Sequence, residues 1–413
     1  MNDTGGPVAT PPTQHPAHAP EVDFGDTQIA FRSKSDASLR HSHRLFRFMN
    51  SPRLVALGSK LGAFAVRHNL PFAESVTLAT IYRQFVGGRT LLEVETVARE
   101  LARHKVLSVL DYGAEGKNDE QAYNRTMTEC IRALEFAARH ASVPVVTTKV
   151  TGLTSDDLLV DVSAGRALDA KADAAYAALL KRLDSLCHVA RQNSVQLYID
   201  AEESWMQPAI DRVVLTCMQR YNTERPIVVN TYQMYRHDRL ATLRQHHAAC
   251  RSNGVMLGAK LVRGAYMDKE NERARERGYP TPIQPSKEAT DRDYDAAVRY
   301  CLEHIDTIGF VNASHNQRSS RLMLEAMHEL GIAPSHPHAM FCQLYGMSDN
   351  LTFNLAAAGY RVGKYVPYGP VRDVVPYLVR RAQENTSITG EASRELALIS
   401  QEIRRRELAR GAH

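Results

Sequence analysis

The sequence predicts an α/β protein built on a distorted (β/α)8 TIM-type barrel with an N-terminal helical arm. Three observations predict it. Eight short runs rich in β-branched residues cross the chain between residues 105 and 366. Stretches with helical spacing of their apolar residues separate these runs. Nearly every run carries, at or just after its end, a polar side chain able to do chemistry. A strand–helix alternation repeated eight times reads as a parallel barrel. Such barrels keep their active sites at the C-terminal ends of the strands, so the polar residues are expected to share one mouth.

Taken in order, Val106–Leu110 leads to Asp111, Val143–Thr148 to Lys149, Val195–Ile199 to Asp200, and Ile227–Asn230 to Gln233. The fifth run, Val255–Val262, ends with Lys260 and then Arg263, and Gly264 permits a tight exit. Lys260 and Val262 share one strand face. Gly309–Val311 leads to Ser314, His315 and Asn316, Ala339–Cys342 to Gln343, and Arg361–Val366 ends with Tyr365. Glu202 and Glu203 follow Asp200 and are expected to begin the next helix, where the dipole favours acids.

Two cation pairs stand out. Lys260 and Arg263 are costly at a barrel mouth unless an anion, a polar cofactor or carboxylates elsewhere in the barrel take them up. Arg380 and Arg381 point about 100° apart on a helix. They read either as a fork for a planar anion or as a solvated face with Arg381 paired to Glu384. Ser314 and His315 are chain neighbours, which is poor geometry for a nucleophilic pair. No metal is expected, because His336 and His338 lack helical ligand spacing. Dinucleotide-fold glycine motifs and phosphate-loop motifs are absent from the sequence.

The chain divides into a tail over 1–25 expected to be disordered, a helical arm over 26–104, the barrel over 105–390 and a C-terminal amphipathic helix over 391–413. The 413 residues carry a net charge of +5, interleaved with acids, which argues against nucleic acid. The six cysteines form no CxxC pair, as expected of buried thiols in a reducing cytoplasm. No apolar run is long enough to span a bilayer, and no secretory leader is apparent.

Nine segments in order then become specific: LDYGAEGK (110–117), TKVTGL (148–153), YIDAEESW (198–205), NTYQMY (230–235), GAKLVRGAYM (258–267), ASHN (313–316), FCQLYGM (341–347), KYVPYGP (364–370) and YLVRRAQEN (377–385). Together they resemble the proline dehydrogenase family, most closely its stand-alone members. The resemblance implies FAD held non-covalently across the strand ends, oxidation of L-proline to 1-pyrroline-5-carboxylate, and a quinone as electron acceptor. It implies that Lys149, Arg380 and Arg381 hold the proline carboxylate. Asp200 matches the family's active-site aspartate, and Lys260 stands where many members have an Arg near the flavin. Leu344, Tyr365 and Tyr377 match positions around the substrate ring. Ala201, Gln233, Val262, Arg263, Gly264, Ser314 and His315 match cofactor-contacting positions. Glu115 matches a position that pairs with the first arginine of the Arg-Arg motif. Met267 falls where long bifunctional members carry Trp.

The resemblance also implies a separate pyrroline-5-carboxylate dehydrogenase to take the product. Peripheral contact with the inner face of a membrane is a further expectation, as is mitochondrial placement in a eukaryote. Three rivals stay open. One is hydroxyproline dehydrogenase, and one is a Schiff-base aldolase using Lys149. The third is a non-catalytic barrel. Tyr365 favours proline over hydroxyproline, because a phenol against the ring leaves little room for an added hydroxyl.

Overall fold

The computed structural model describes residues 22–411, apart from 52, 56, 57, 59, 60, 63, 64, 66, 67, 69, 70, 114–118 and 388–390. The expected tail lies outside the described residues as far as residue 21. Val22 and Phe24 are buried in the main core, and Asn350 donates a side-chain hydrogen bond to the Phe24 carbonyl.

Eight parallel strands close into a barrel in chain order. They are β1 (Leu107–Tyr112), β2 (Val145–Lys149), β3 (Gln196–Asp200), β4 (Val228–Gln233), β5 (Leu257–Val262), β6 (Ile308–Ala313), β7 (Ala339–Leu344) and β8 (Val362–Tyr368). Closure is the β1–β8 pairing, from Leu107 opposite Gly363 to Tyr112 opposite Tyr368. Each strand is short, so one layer of inward side chains lies near the mouth.

The longer helices are α1 (Asp36–Met49), α2 (Leu91–Arg103), α3 (Glu120–Ala138), α4 (Ala170–Gln192), α5 (Gln207–Tyr221), α6 (Arg239–Ser252), α7 (Met267–Arg277), α8 (Lys287–Glu303), α9 (Gln317–Glu329), α10 (Asp349–Ala357), α11 (Val371–Ser387) and α12 (Glu391–Gly411). From α3 to α10 they surround the barrel. Their starts are written in the sequence: Asp119, Asp169, Ser286 and Asn316 each accept a backbone N–H three residues on. Such caps are worth about 1 kcal/mol each.

The strand period of two sorts the core. Leu110, Val146, Leu197, Ile199, Leu261 and Phe310 face outward into the layer beneath the helices. Val109, Val145, Tyr198, Val229, Val311, Met340, Cys342 and Tyr365 form a second, inner cluster. The same alternation puts Lys149, Asp200, Gln233 and Lys260 on the inner set. Lys260 and Tyr365 do not sit at strand ends as expected. Each is the fourth residue of its strand, with two or more strand residues beyond it. They project inside the barrel, below the rim.

The arm and the C-terminal helix form another core. Phe31, Leu39, Phe46, Phe85 and Met49 pack with Val371, Leu378 and Ile399. Arg406 on α12 donates to Asp36 at the start of α1 at 2.9 Å. Gly87 and Gly88 interrupt the helical arm between Phe85 and the start of α2 at Leu91, and the interruption has a definite use. This segment runs beside the end of β8, with Gly87 N–H donating to the Pro367 carbonyl at 2.8 Å. A Cβ on Gly87 would lie 2.4 Å from Val366.

Candidate active site

Asp200, the last residue of β3, is the centre of the site. The Lys260 ammonium donates to its Oδ1 at 2.6 Å, and the Tyr365 hydroxyl donates to its Oδ2 at 2.8 Å. Lys149 Nζ lies 3.9 Å from the same Oδ2. Burial alone would raise the Asp200 pKa, but Lys260 and Lys149 outweigh it and hold the carboxyl below its ordinary value. Asp200 is therefore an anion at neutral pH. Burial, with Asp111 and Asp200 nearby, pushes Tyr365 far above its usual value, so it stays a phenol. Thr147 Oγ1 donates to Asp111 Oδ1 at 2.9 Å and lies 3.3 Å from the Tyr365 hydroxyl. The Lys260 ammonium also sits 4.9 Å from the centre of the Tyr365 ring.

Lys149 connects this centre to a cavity of about 680 Å³ over the β1–β3 side of the mouth. Arg380, Tyr266, Thr151, Glu202 and Lys269 line the same cavity. Glu202 and Glu203 do not begin a helix as expected. Helix α5 starts at Gln207, and both acids sit in the preceding loop, buried. Glu202 accepts from the Thr151 N–H at 3.0 Å and the Thr151 hydroxyl at 2.5 Å. Burial pushes its carboxyl up to about 7, against the pull of Thr151 and Lys149. The Gln207 side chain accepts the Glu202 N–H at 2.9 Å, which fixes the loop. Sequence reasoning assigned Glu202 to a helix start. No signal in the sequence separates it from an acid at a helix start.

Arg380 and Arg381 part company. Arg380 faces the cavity, whereas Arg381 is buried with its guanidinium 5.2 Å from the Tyr377 ring. Arg381 acts electrostatically on His315, on the β6 side. Leu344 pairs in register with Tyr365. Glu115 lies outside the described residues.

The other predicted positions lie at the ends of β3 to β6. Gln233 is buried, and its Oε1 finds no hydrogen-bond partner among the described residues. Ala201 follows Asp200 and is 9% exposed. Arg263 pairs with Asp291 at 2.7 Å and donates to Ser314 Oγ at 2.9 Å and Ser319 Oγ at 3.0 Å. The two cations of the fifth run thus both have carboxylate partners, Lys260 with Asp200 and Arg263 with Asp291. Gly264 turns the chain at φ 137°, and a Cβ there would lie 2.2 Å from the Tyr235 ring. Val262 and Arg263 are half-buried and Gly264 is exposed. His315 Nδ1 is 2.8 Å from Ser348 Oγ, and burial lowers its pKa to about 3, so the ring is neutral.

Comparison with known proteins gives a consistent picture. A family model described as "Proline dehydrogenase" matches residues 94–394. The chain is 33% identical over 352 positions to the carbapenem antibiotics biosynthesis protein CarD of Pectobacterium carotovorum, covering 85% of this chain and 91% of that one. It is 33% identical to hydroxyproline dehydrogenase of Bos taurus, covering 92% and 93%. It is 43% identical to mitochondrial proline dehydrogenase 1 of Homo sapiens, over 55% of this chain and 38% of that protein. Among solved structures, proline utilization A from Bdellovibrio bacteriovorus, inactivated by N-propargylglycine, matches at TM-score 0.70 and 21% identity. That match covers 89% of this chain and 38% of the larger one.

Proposed function

The chain belongs to the proline dehydrogenase family, and on that premise we propose that it oxidises L-proline to 1-pyrroline-5-carboxylate with bound FAD. The observation that carries this reading is Lys149. It stands within 3.9 Å of Asp200 and also lines the cavity that holds Arg380. A cation bridging the barrel centre and an open cavity suits a small amino acid anchored by its carboxylate.

The residues present fit a flavin. The orphaned Gln233 Oε1 can accept from a ring N–H. Arg263, Ser314 and the Gly264 turn offer polar groups and close backbone approach beside it. Ala201, Val262 and His315 complete the proposed binding set. FAD, when bound, supplies a two-electron acceptor for the hydride on the ring carbon next to nitrogen. The protein's own share is positioning and electrostatics. Lys149, Arg380 and Arg381 fix the carboxylate and so orient the ring. Tyr365, Leu344 and Tyr377 bound the space the ring occupies. Asp200 holds both the Lys260 ammonium and the Tyr365 hydroxyl in place. The family resemblance assigns Glu115, which lies outside the described residues, as the partner of Arg380. A quinone takes up the electrons, and a separate pyrroline-5-carboxylate dehydrogenase takes the product. Among the described residues no helix is long and apolar enough to cross a membrane.

The test is spectroscopic. The purified protein shows flavin bands that bleach anaerobically on adding L-proline. A folded, FAD-loaded protein that never bleaches overturns the assignment. Trapping of substrate by borohydride on Lys149, without yellow colour, would support the aldolase instead. Hydroxyproline dehydrogenase is the second reading, favoured by the bovine relative's alignment over nearly the full length of both chains. Comparing kcat/KM for L-proline and 4-hydroxyproline separates the two.

A further inference from the structure

Ser348, between β7 and α10, departs from the ordinary in both backbone and side chain. It is the N-cap of α10, yet its φ is 49°, in the left-handed region that is costly for a residue with a Cβ. Serine at a helix start ordinarily turns its hydroxyl onto the first N–H groups of its own helix. Here it makes no such bond. The hydroxyl lies instead 2.8 Å from His315 Nδ1, in the neighbouring turn between β6 and α9, and Ser348 is fully buried. A strained residue persists only where its surroundings over-determine it. Two charged groups do so. Lys364 donates to the Met347 carbonyl just before Ser348 and pairs with Asp349 just after it at 2.8 Å. Glu395 accepts the Ser348 N–H.

Glu395 lies on α12, a helix that supplies none of the site residues described above. Its chain neighbour Arg394 donates to the His315 carbonyl at 2.9 Å. One turn of α12 therefore grips two loops at the barrel mouth, one through Arg394 and the other through Glu395. Glu395 is buried, and among the described residues it forms no ion pair and accepts no second hydrogen bond. Helix packing alone does not ask for a buried acid aimed at one backbone N–H, because an apolar side chain fills the space at lower cost. His315 is neutral, and in a neutral imidazole the partner of one nitrogen decides the role of the other. Its Nε2 takes no partner among the described residues.

We propose that Ser348 and Glu395 are positioning residues for the cofactor: through them α12 fixes the ring plane and tautomer of His315 and leaves Nε2 to FAD. Glu395 holds Ser348 in its left-handed turn, Ser348 holds Nδ1, and Arg394 holds the His315 backbone. A serine whose hydroxyl served its own helix would leave the imidazole free to turn. The proposal rests on the reading of His315 as a cofactor contact. The rival is that this cluster only anchors α12 to the barrel, and it predicts that flavin affinity changes in step with stability.

The experiment measures FAD affinity and melting temperature on the same samples of the full chain. Flavin released into flavin-free buffer gives the dissociation constant. Ser348→Gly suits the left-handed φ and costs α10 no cap bond, so its melting temperature stays near that of wild type. It binds FAD roughly 5-fold more weakly, as for one lost hydrogen bond. Glu395→Leu fills the space without an acceptor and weakens FAD likewise. Glu395→Gln keeps an amide oxygen for the Ser348 N–H and binds FAD as wild type does. Nitrogen NMR of the histidine rings, with His315 identified by its loss in His315→Asn, shows one tautomer in wild type and a mixture in Ser348→Gly. Wild-type FAD affinity in both Ser348→Gly and Glu395→Leu overturns the proposal, as does Glu395→Gln binding as weakly as Glu395→Leu. A mixture of tautomers in wild type, or an affinity that falls only in step with melting temperature, also overturns it. Wild type that takes up no FAD is a different result and sinks the flavin reading itself.

Discussion

Asp200 accepts the Lys260 ammonium on one carboxylate oxygen at 2.6 Å and the Tyr365 hydroxyl on the other at 2.8 Å. Three strands, β3, β5 and β8, are thereby tied together inside the barrel. The pair is buried, so its Coulombic gain is set against the cost of desolvating both ions. Its worth lies in holding the two groups in place.

Removing one partner of such a pair strands a buried charge. Lys260→Met is expected to destabilise the protein by about 3 kcal/mol. Lys149, 3.9 Å from the other carboxylate oxygen, still supports the anion through its charge, so the loss lies at the low end of the range for such pairs. Adding Asp200→Asn removes the stranded charge and restores part of the stability. Urea unfolding of the single and double variants measures this. A double variant less stable than the sum of the singles would refute the pairing as the cause.

The two arginines of α11 are predicted to separate by readout. Arg380→Met and Arg381→Met each raise the KM for proline, by roughly 10- to 150-fold for a lost charge-assisted contact worth about 1.5–3 kcal/mol. Arg380 lines the open cavity, so its variant keeps the wild-type Tm. Arg381 is buried over the Tyr377 ring, so its variant also melts earlier. Steady-state kinetics beside thermal melts check both. Unchanged proline kinetics in both variants would remove them from the substrate site.

Much of this site was legible in the chain because strand ends carry it. Asp111, Lys149, Asp200 and Gln233 lie where the alternation of runs and helices puts them, each closing or nearly closing its strand. The depth of Lys260 and Tyr365 was not legible. It depends on where pairing stops on neighbouring strands, and the sequence of one strand does not contain that. The partnership of Lys260 with Asp200 joins residues 60 apart, and that of Arg263 with Asp291 depends on how α8 packs. Glu202 misled for a related reason. An acid after a strand is usually a helix-start residue, but here Gln207 caps the loop and the helix begins later. The alternative pairing of Arg381 with Glu384 concerns a side chain outside those described. The buried Lys364, paired with Asp349 at 2.8 Å on the outer side of β8, had no sequence signal at all.

Tyr365 is expected to select proline over 4-hydroxyproline. Overpacking an added hydroxyl against a phenol costs about 1–3 kcal/mol, or roughly 5- to 150-fold in kcat/KM. The hydrogen bond to Asp200 makes two variants informative. Tyr365→Phe removes the hydroxyl and keeps the ring, so selectivity persists while stability falls by about 1 kcal/mol. Tyr365→Ser opens the space and narrows the gap between substrates, chiefly by impairing proline. Equal use of both substrates by wild type would discard Tyr365 as selector and put the hydroxyproline reading first.

The last prediction concerns pH and Glu202. Its ordinary carboxyl value is 4.5, and burial raises it to about 7 in the folded protein. The folded state therefore binds a proton that the unfolded state has released between these values. Stability from this group is full below about 4.5 and is lost as pH rises through about 7. At about 1.4 kcal/mol per pKa unit, the loss is roughly 3 kcal/mol at most. Glu395, buried beside Asp349 and accepting the Ser348 N–H, is raised to about 7 as well and adds a loss of the same sign. Glu202→Gln mimics the protonated carboxyl, since its amide oxygen still accepts from Thr151. Relative to wild type, this variant is expected to gain unfolding free energy as pH rises from about 5 to about 8, by roughly 3 kcal/mol at most. His315 and His247, lowered by burial, act with the opposite sign in both proteins and cancel from the difference. It should also be more stable than wild type at the upper end. Urea unfolding across that range decides the matter. A variant whose pH profile runs parallel to wild type would mean that Glu202 is already ionised in the fold, with Lys149 beside it as its counter-charge.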